Sequence, residues 1–204
     1  MTPDLKTISG DLFGQLLSTT VNPSNSNLLS ALGSNIKFLD VSKLNLNDLK
    51  AALSFKDGKV TVKPFDIKYQ DIKVTVGGTH GFDQLMNYSL KLDVPAKYMG
   101  TEANALLAKL SPSDVAKLDN IPVNASLTGS FSKPNVTTDI KAATTSLVTS
   151  LVKQQKQKAI TKGTSALEDL INKNTKSGDT TKTKKTINQA KDLLNGLFGK
   201  KKTP

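Results

Sequence analysis

Apolar and polar positions alternate along the middle of this chain, and the alternation is clearest from residue 49 onward. Every second residue from 49 to 55 is apolar, which is typical of a strand with one buried and one wet face. Asp57-Gly58 follows, a favoured two-residue hairpin turn. Val60 and Val62 then resume the alternation, so the pattern predicts a β-hairpin here.

Pro64 interrupts the second strand of this hairpin. Because proline has no amide hydrogen to donate to a strand partner, it marks a sheet edge or a bulge. The apolar positions then change parity to Phe65, Ile67 and Tyr69, as a one-residue bulge would produce. Gln70-Asp71 predicts a second turn.

Further strands are predicted by the same alternation. Their apolar positions are Ile72, Val74 and Val76; then Tyr88, Leu90, Leu92 and Val94; then Val123, Ala125, Leu127 and Phe131; and finally Val136 and Ile140. Gly77-Gly78 is expected to end the first of these strands, and Pro95 the second.

Helical spacing recurs outside the strands. Ser26 or Asn27 is expected to cap a short helix that reaches Ile36. Residues 101–118 are predicted to be helical, with a second helix starting at Pro112. Residues 5–21 predict either a strand or a short helix.

Together these elements predict an α+β protein that is mainly β, a curved antiparallel meander sheet of about six or seven strands with a few short helices. We place this β-sheet domain at residues 1–142 and an amphipathic helix region at 143–171. A disordered Lys/Thr-rich linker is expected at 172–186, and a short amphipathic helix with a basic terminus at 187–204.

The charge of the chain is concentrated in its tail. The formal net charge is +11, with 28 lysines and no arginine; residues 1–140 hold 14 lysines and 13 acidic residues, whereas residues 141–204 hold 14 lysines and 4 acidic residues. Such a tail suits an anionic membrane surface. The candidate membrane-surface residues are Leu194, Leu197, Phe198, Lys200, Lys201 and Lys202. A solvated helix packing on the sheet is the alternative.

Nucleic-acid binding is disfavoured although the chain is basic. Arginine supplies the forked contacts that specific readers of bases use, and this sequence has none. The tail interleaves lysine with Thr, Gln and Asn rather than with the aromatic residues on which single-stranded bases stack.

Few residues could carry catalysis. His80 is the single histidine and lies in Gly77–Gly81, which we interpret as a turn with an exposed side chain. The chain has no cysteine, so disulfides and thiolate metal sites are excluded. Acidic residues are scattered singly, with no accompanying nucleophile or base. We therefore expect a protein that is not an enzyme and that uses no metal or cofactor.

The region from residue 44 to residue 101 resembles the C-terminal region of the AsmA family of Gram-negative cell-envelope proteins. The resemblance rests on the order of its elements, namely a strand, an Asp57-Gly58 turn, a strand with Pro64-Phe65, the glycine stretch Gly77-Gly78, then Phe82-Asp83-Gln84, a strand from Tyr88, and Pro95. Residues 7–12 and 127–134 match more weakly. The resemblance covers about two thirds of the chain and leaves the tail outside.

Membership of that family, which is similar to the chorein-like bridge proteins such as TamB, implies a curved sheet with a hydrophobic channel. It also implies a role in phospholipid transport and outer-membrane assembly, in the periplasm, by a protein anchored in the inner membrane. This sequence lacks the anchoring helix, so we expect a fragment that begins inside a longer parent protein. Phospholipid or another acyl-chain ligand and other envelope proteins are the implied partners.

An apolar sheet face with few covering helices agrees with that implication, because exposed apolar patches usually mark interaction sites. The residues expected to line a lipid site are Leu53, Phe55, Val60, Val62, Ile67, Val74, Val76, Leu90 and Leu92. The same residues could instead form the core under the helices. A protein–protein interaction module that docks by strand addition remains an alternative function, as does binding through the basic tail.

Overall fold

The computed structural model describes residues 4–17 and 26–174, together with the single residues 188 and 192. The chain forms two units, Met1–Leu147 and Val148–Pro204. The first unit contains one seven-stranded antiparallel sheet in which the strands follow one another in sequence order. The predicted fold class, α+β and mainly β with a meander sheet, is confirmed.

The bounds of the elements agree closely with the alternation of the sequence. The strands are β1 (Gly10–Leu16), β2 (Leu49–Lys56), β3 (Lys59–Tyr69), β4 (Ile72–Gly81), β5 (Leu85–Val94), β6 (Ile121–Ser130) and β7 (Pro134–Thr138). The helices are α1 (Asn27–Asn35), α2 (Thr101–Leu107), α3 (Pro112–Val115) and α4 (Ile140–Asn174), with short 3₁₀ turns at Leu5–Thr7, Val41–Lys43 and Ala96–Tyr98.

The register of the ladders gives the sheet one apolar face. Leu53 of β2 lies opposite Val62 of β3, and Leu92 of β5 lies opposite Val123 of β6. Directly paired residues point to the same side of a sheet, so these apolar rows continue from strand to strand. The other side of the sheet is polar; there Asp66 accepts a hydrogen bond from Thr75 and pairs with Lys73 at 2.9 Å. We call the first side the apolar face.

The predicted hairpin turn and bulge are confirmed. Asp57 and Gly58 both have positive φ, +50° and +72°, as a type I′ turn requires. The β3–β4 register shifts between Val62 and Phe65, so one additional residue is accommodated beside Pro64. The bulge places Phe65 on the same face as Val62 despite their odd separation.

Strand β4 continues beyond the glycines that were expected to end it. Gly77 lies opposite Ser89 and Gly78 opposite Tyr88 in the β4–β5 ladder. A Cβ atom on Gly78 would lie 2.4 Å from the carbonyl oxygen of Asn87, so glycine is needed here for close approach of the two backbones. The prediction of a turn at 77–81 was wrong for this reason, and His80 lies in a strand.

Two segments, one after α1 that contains Phe38 and Asp40 and one after β5 that contains Tyr98, cover one end of the apolar face. We call them the covering segments. The Tyr69 side chain belongs to that face, and its hydroxyl accepts a hydrogen bond of 3.1 Å from the Asp40 amide, which holds the segment after α1 in place. Tyr98 approaches the same end and donates to Asp71 Oδ1 at 2.7 Å. Its ring lies 6.1 Å from that of Phe38, so the two covering segments contact each other.

The buried core includes residues of these segments and of the sheet. Among its most buried residues are Ile36, Leu39, Val94, Met99, Ala103 and Val123. Helix α1 contacts β7 and is capped by Ser26, whose hydroxyl accepts from the Leu29 amide at 3.3 Å. The cap predicted at Ser26 or Asn27 is therefore Ser26.

Helix α4 begins directly after β7, at Ile140, a residue that alternation had assigned to a strand. Asp139 fixes this junction, because its carboxylate accepts from both the amide and the side chain of Asn124, each at 2.7 Å. In the second unit the described chain is helical from residue 148 to residue 174. Apart from residues 188 and 192, the chain after 174 lies outside the described residues; this includes most of the predicted linker and terminal helix.

Candidate functional site

The part of the apolar face formed by β1 and β2 is more exposed than the part formed by β5 and β6. Five of its side chains form what we call the open strip, Leu12, Leu16, Leu49, Leu53 and Phe55. Leu12 lies opposite Leu53, and Leu16 opposite Leu49. Leu12 is 52% exposed and Leu16 46% exposed, whereas apolar side chains in the β5 and β6 rows are buried. The sheet is thus apolar on one side across its width, but covered over only part of it.

The nine residues predicted to line a lipid site separate into two groups by the exposure of their side chains. Five are buried, namely Val60, Val62, Val74, Leu90 and Leu92. Four are partly exposed, namely Leu53, Phe55, Ile67 and Val76. The register brings all nine onto one face. The buried five are core, and the partly exposed four lie where a ligand could reach them.

Sequence reasoning missed the two most exposed members of the open strip. Leu12 and Leu16 lie in the segment 5–21, which was expected to be a strand or a short helix. The signal is a weak alternation in which glycines, Gly10 and Gly14, take turns with Leu12 and Leu16 at every second position. Exposed Phe13 on the opposite face obscures it. The pairing of β1 with β2 makes the assignment plain.

Polar contacts attach both covering segments at one end of the face. The Asp40 amide bonds Tyr69, next to the Gln70–Asp71 turn, and Lys97 pairs with Asp71 at 2.5 Å. Lys97 and the Tyr98 hydroxyl lower the pKa of the Asp71 carboxyl by ion pairing and hydrogen bonding. These polar contacts surround a single turn, so both covering segments are attached to the sheet at that turn.

His80 lies at the other end of β4 in an aromatic cluster. Its Nδ1 atom forms a 2.8 Å hydrogen bond with the Tyr88 hydroxyl, and its ring meets Phe131 edge-on at 5.3 Å between centroids. Burial lowers the pKa of His80 and raises the pKa of Tyr88. The expectation of an exposed histidine in a turn was wrong, because the ring is partly buried against its neighbours. Both shifts favour neutral side chains at neutral pH.

A cavity of about 620 Å³ lies between the Asp57–Gly58 turn and the turn that joins β4 to β5. Its charged lining residues carry both signs, Lys6 and Lys59 against Asp4, Asp57 and Asp83. His80 and Met86 line it from rows of the apolar face. The mixed charge gives the cavity no preference for an anion or a cation.

Within residues 4–17 and 26–174, no three His, Asp or Glu side chains come close enough to hold a metal ion. None of the helices in this described part is both long and apolar enough to cross a bilayer. The candidate membrane-surface residues Leu194, Leu197, Phe198, Lys200, Lys201 and Lys202 lie outside the described residues.

The open strip is therefore the feature of the described chain that most resembles a ligand surface, a run of partly or half-exposed leucine and phenylalanine side chains on the same sheet face as the buried rows. The chain was compared with protein-family models, with curated proteins and with solved structures, and none of the three comparisons gives a match.

Proposed function

We propose that this chain is a non-enzymatic module of the Gram-negative cell envelope that binds an acyl chain, most naturally that of a phospholipid, along its open strip. The observation that carries this proposal is the exposure of Leu12 and Leu16 beside the half-buried Leu53 and Phe55. These side chains extend a face whose rows on β5 and β6 are largely buried. A bound acyl chain would bury the apolar side chains of β1 and β2, as the covering segments bury those of β5 and β6.

The dimensions of the strip suit such a ligand. From Leu49 to Phe55 the strand advances six residues, roughly 20 Å at about 3.3 Å per residue. The hydrocarbon core of a bilayer is about 30 Å thick, so one acyl chain spans about 15 Å of it. An acyl chain laid along β2 would therefore stay on apolar side chains for its whole length.

The energetics also favour this occupant. Each methylene group removed from water contributes about 0.8 kcal/mol, and the leucines of β1 gain burial at the same time. A flat polar ligand would gain neither term, because the strip offers no charged or hydrogen-bonding side chain among its five residues.

The resemblance to the AsmA family supports the wider setting. It implies a periplasmic protein, anchored to the inner membrane in its full-length form, that takes part in phospholipid transport and outer-membrane assembly. Within that setting the open strip would be a section of the path that lipid follows. Other envelope proteins would be its partners.

Native mass spectrometry of the chain, purified gently and mixed with phosphatidylethanolamine, tests the proposal. We expect lipid-bound species in the unaltered chain and their loss in the double variant Leu12→Asn, Leu16→Asn. Leu85→Asn is the matched control, since Leu85 is 58% exposed but lies on the polar side of β5. Equal lipid binding by the double variant, or none by the unaltered chain, would overturn the proposal.

A further inference from the structure

Strand β1 forms one edge of the sheet, and its outer edge pairs with no other strand in the described part of the chain. All seven of its residues are exposed. Natural edge strands are usually protected by lysine, proline, a bulge or shortness, and Gly10–Leu16 contains neither lysine nor proline. Its backbone groups are therefore available to another strand.

The opposite edge of the sheet is protected. Strand β7 is five residues long and begins with Pro134. Helix α1 contacts it, and α4 follows it after a single residue. The contrast makes β1 the edge at which strand addition can occur.

We propose that β1 pairs antiparallel with β1 of a second copy of this chain, about a two-fold axis at Phe13. In this register Gly10 lies opposite Leu16 of the other copy, and Phe13 lies opposite its own equivalent. A symmetric dimer of this kind buries the same surface on both molecules. It joins two seven-stranded sheets into one.

Two requirements select this register. The apolar faces of both copies stay on the same side of the joined sheet only when even-numbered residues pair with even-numbered residues, because a one-residue slip exchanges the faces. Among the registers that meet this condition, centring on Phe13 pairs all seven residues of β1. Centring on Leu12 or Gly14 moves residues of β1 beyond the end of their partner strand.

Side chains on the apolar face are complementary in size in this register. Leu12 lies opposite Gly14 of the second copy, and Leu16 opposite Gly10. A Cβ atom at Gly10 or Gly14 would meet nothing within 4 Å, so each glycine leaves space for a leucine across the ladder. The two open strips become neighbours. Leu12 and Leu16 of each copy are then partly buried by β1 of the other copy, on a side that is exposed in the single chain.

The polar side of β1 is complementary as well. Phe13 is 68% exposed and would contact its own equivalent, a cross-strand aromatic pair. Asp11, the strand's one charged residue, lies opposite the neutral Gln15 rather than another carboxylate. No like charges meet across the axis, which favours a second copy as the occupant.

Single-cysteine variants of the full chain test the register, since the chain has no cysteine of its own. Phe13→Cys places two thiols across the axis, where paired Cα atoms are about 5 Å apart, within the span of a disulfide. Asp11→Cys is the matched control, because its equivalents are about 14 Å apart. We expect a disulfide-linked dimer on mild oxidation of the first variant and none for the second. Equal crosslinking of both, or of neither, would overturn the proposal.

Sedimentation equilibrium of variants at Gln15 gives an independent measurement. Gln15→Lys brings a positive charge opposite Asp11, and Gln15→Asp a negative one. We expect the dimer dissociation constant to fall for the first and rise for the second, each by about 2- to 30-fold since two such pairs form. A chain that is monomeric throughout, or that responds alike to both charges, contradicts self-pairing.

This inference does not rest on lipid binding. A chain that never takes up phospholipid can still pair through β1, and a chain that fails to crosslink can still bind lipid along the open strip. The two sets of results are therefore separable.

Discussion

The Nδ1 atom of His80 and the hydroxyl oxygen of Tyr88 are 2.8 Å apart, joined diagonally across β4 and β5 on the same face of the sheet. This contact exists because Gly78, opposite Tyr88, leaves room for the tyrosine ring beside its own backbone. The Phe131 ring meets the His80 ring edge-on in the same cluster. His80, which was predicted to lie in a turn, is therefore hydrogen-bonded to a residue of the neighbouring strand.

The cluster predicts a pH dependence of stability between about pH 7 and about pH 5. Burial lowers the pKa of His80 in the folded chain below its ordinary value of 6.5, so the unfolded chain binds more protons in this window. The contribution of neutral His80 to the free energy of unfolding should be complete above pH 6.5. It should be lost as the pH drops through the pKa of His80 in the folded chain. Urea unfolding at a series of pH values measures this.

His80→Gln should flatten the curve in that window, because glutamine cannot be protonated. Tyr88→Phe is the control that keeps the titrating ring, and it should retain the slope. Aspartates such as Asp71, whose pKa is lowered from 3.8, contribute only at lower pH, because their stabilisation is lost as the pH falls below 3.8. A slope in the His80→Gln variant equal to that of the original chain would show that the histidine is not its source.

Gly78→Ala should destabilise the fold. Its Cβ would lie 2.4 Å from the Asn87 carbonyl oxygen and 2.6 Å from Tyr88 Cα, and neither backbone atom can move without opening the ladder. Overpacking of this kind costs about 1–3 kcal/mol. Gly33→Ala is the control, since its Cβ meets Val41 at an ordinary 3.6 Å in helix α1, where alanine is favoured by about 0.5–1 kcal/mol. Thermal unfolding that shifts in the same direction for both variants would count against this account.

Truncation of leucines should separate the core from the candidate site. Leu92 is 1% exposed, and Leu92→Ala should lower the free energy of unfolding by about 2–5 kcal/mol. Leu12→Ala removes a half-exposed side chain, so its effect on unfolding should stay within about 0.5 kcal/mol, while lipid association falls. Comparable losses of stability in the two variants would mean that the open strip is buried in solution.

The N-terminal cap of α1 gives a local prediction. Ser26→Ala removes the acceptor of the Leu29 amide and should cost about 1 kcal/mol. Ser26→Asp keeps an acceptor at the same position and should cost less, which urea unfolding of the two variants can resolve. If alanine were tolerated as well as aspartate, the cap would not be contributing to stability.

Local signals in the sequence were sufficient for much of the fold. Asp57-Gly58 specified its own turn, and the parity change beyond Pro64 specified the bulge, because each depends on a few adjacent residues. The cap at Ser26 belongs to the same class. These features can be predicted without knowing which strands pair with one another.

The misplaced features depend on neighbours distant in sequence. Gly77 and Gly78 have the composition of a turn, and only the close approach of Pro64 to Gly77 and of the β5 backbone to Gly78 shows why they are in a strand. Ile140 continues the alternation of β7, yet it begins a helix whose start is set by Asp139 bonding to Asn124. The contacts that attach the covering segments, Asp40 with Tyr69 and Tyr98 with Asp71, also join residues distant in sequence, and no local pattern along the chain records them.

The bulge beside Pro64 has a further consequence for how this sheet tolerates change. In a regular strand, one inserted amino acid inverts every side chain downstream of it. Here the surplus residue is absorbed locally, with the proline ring seated against Gly77, and Phe65, Ile67 and Tyr69 keep their inward orientation. A strand built this way can differ in length by one residue and still keep the same side chains on the apolar face.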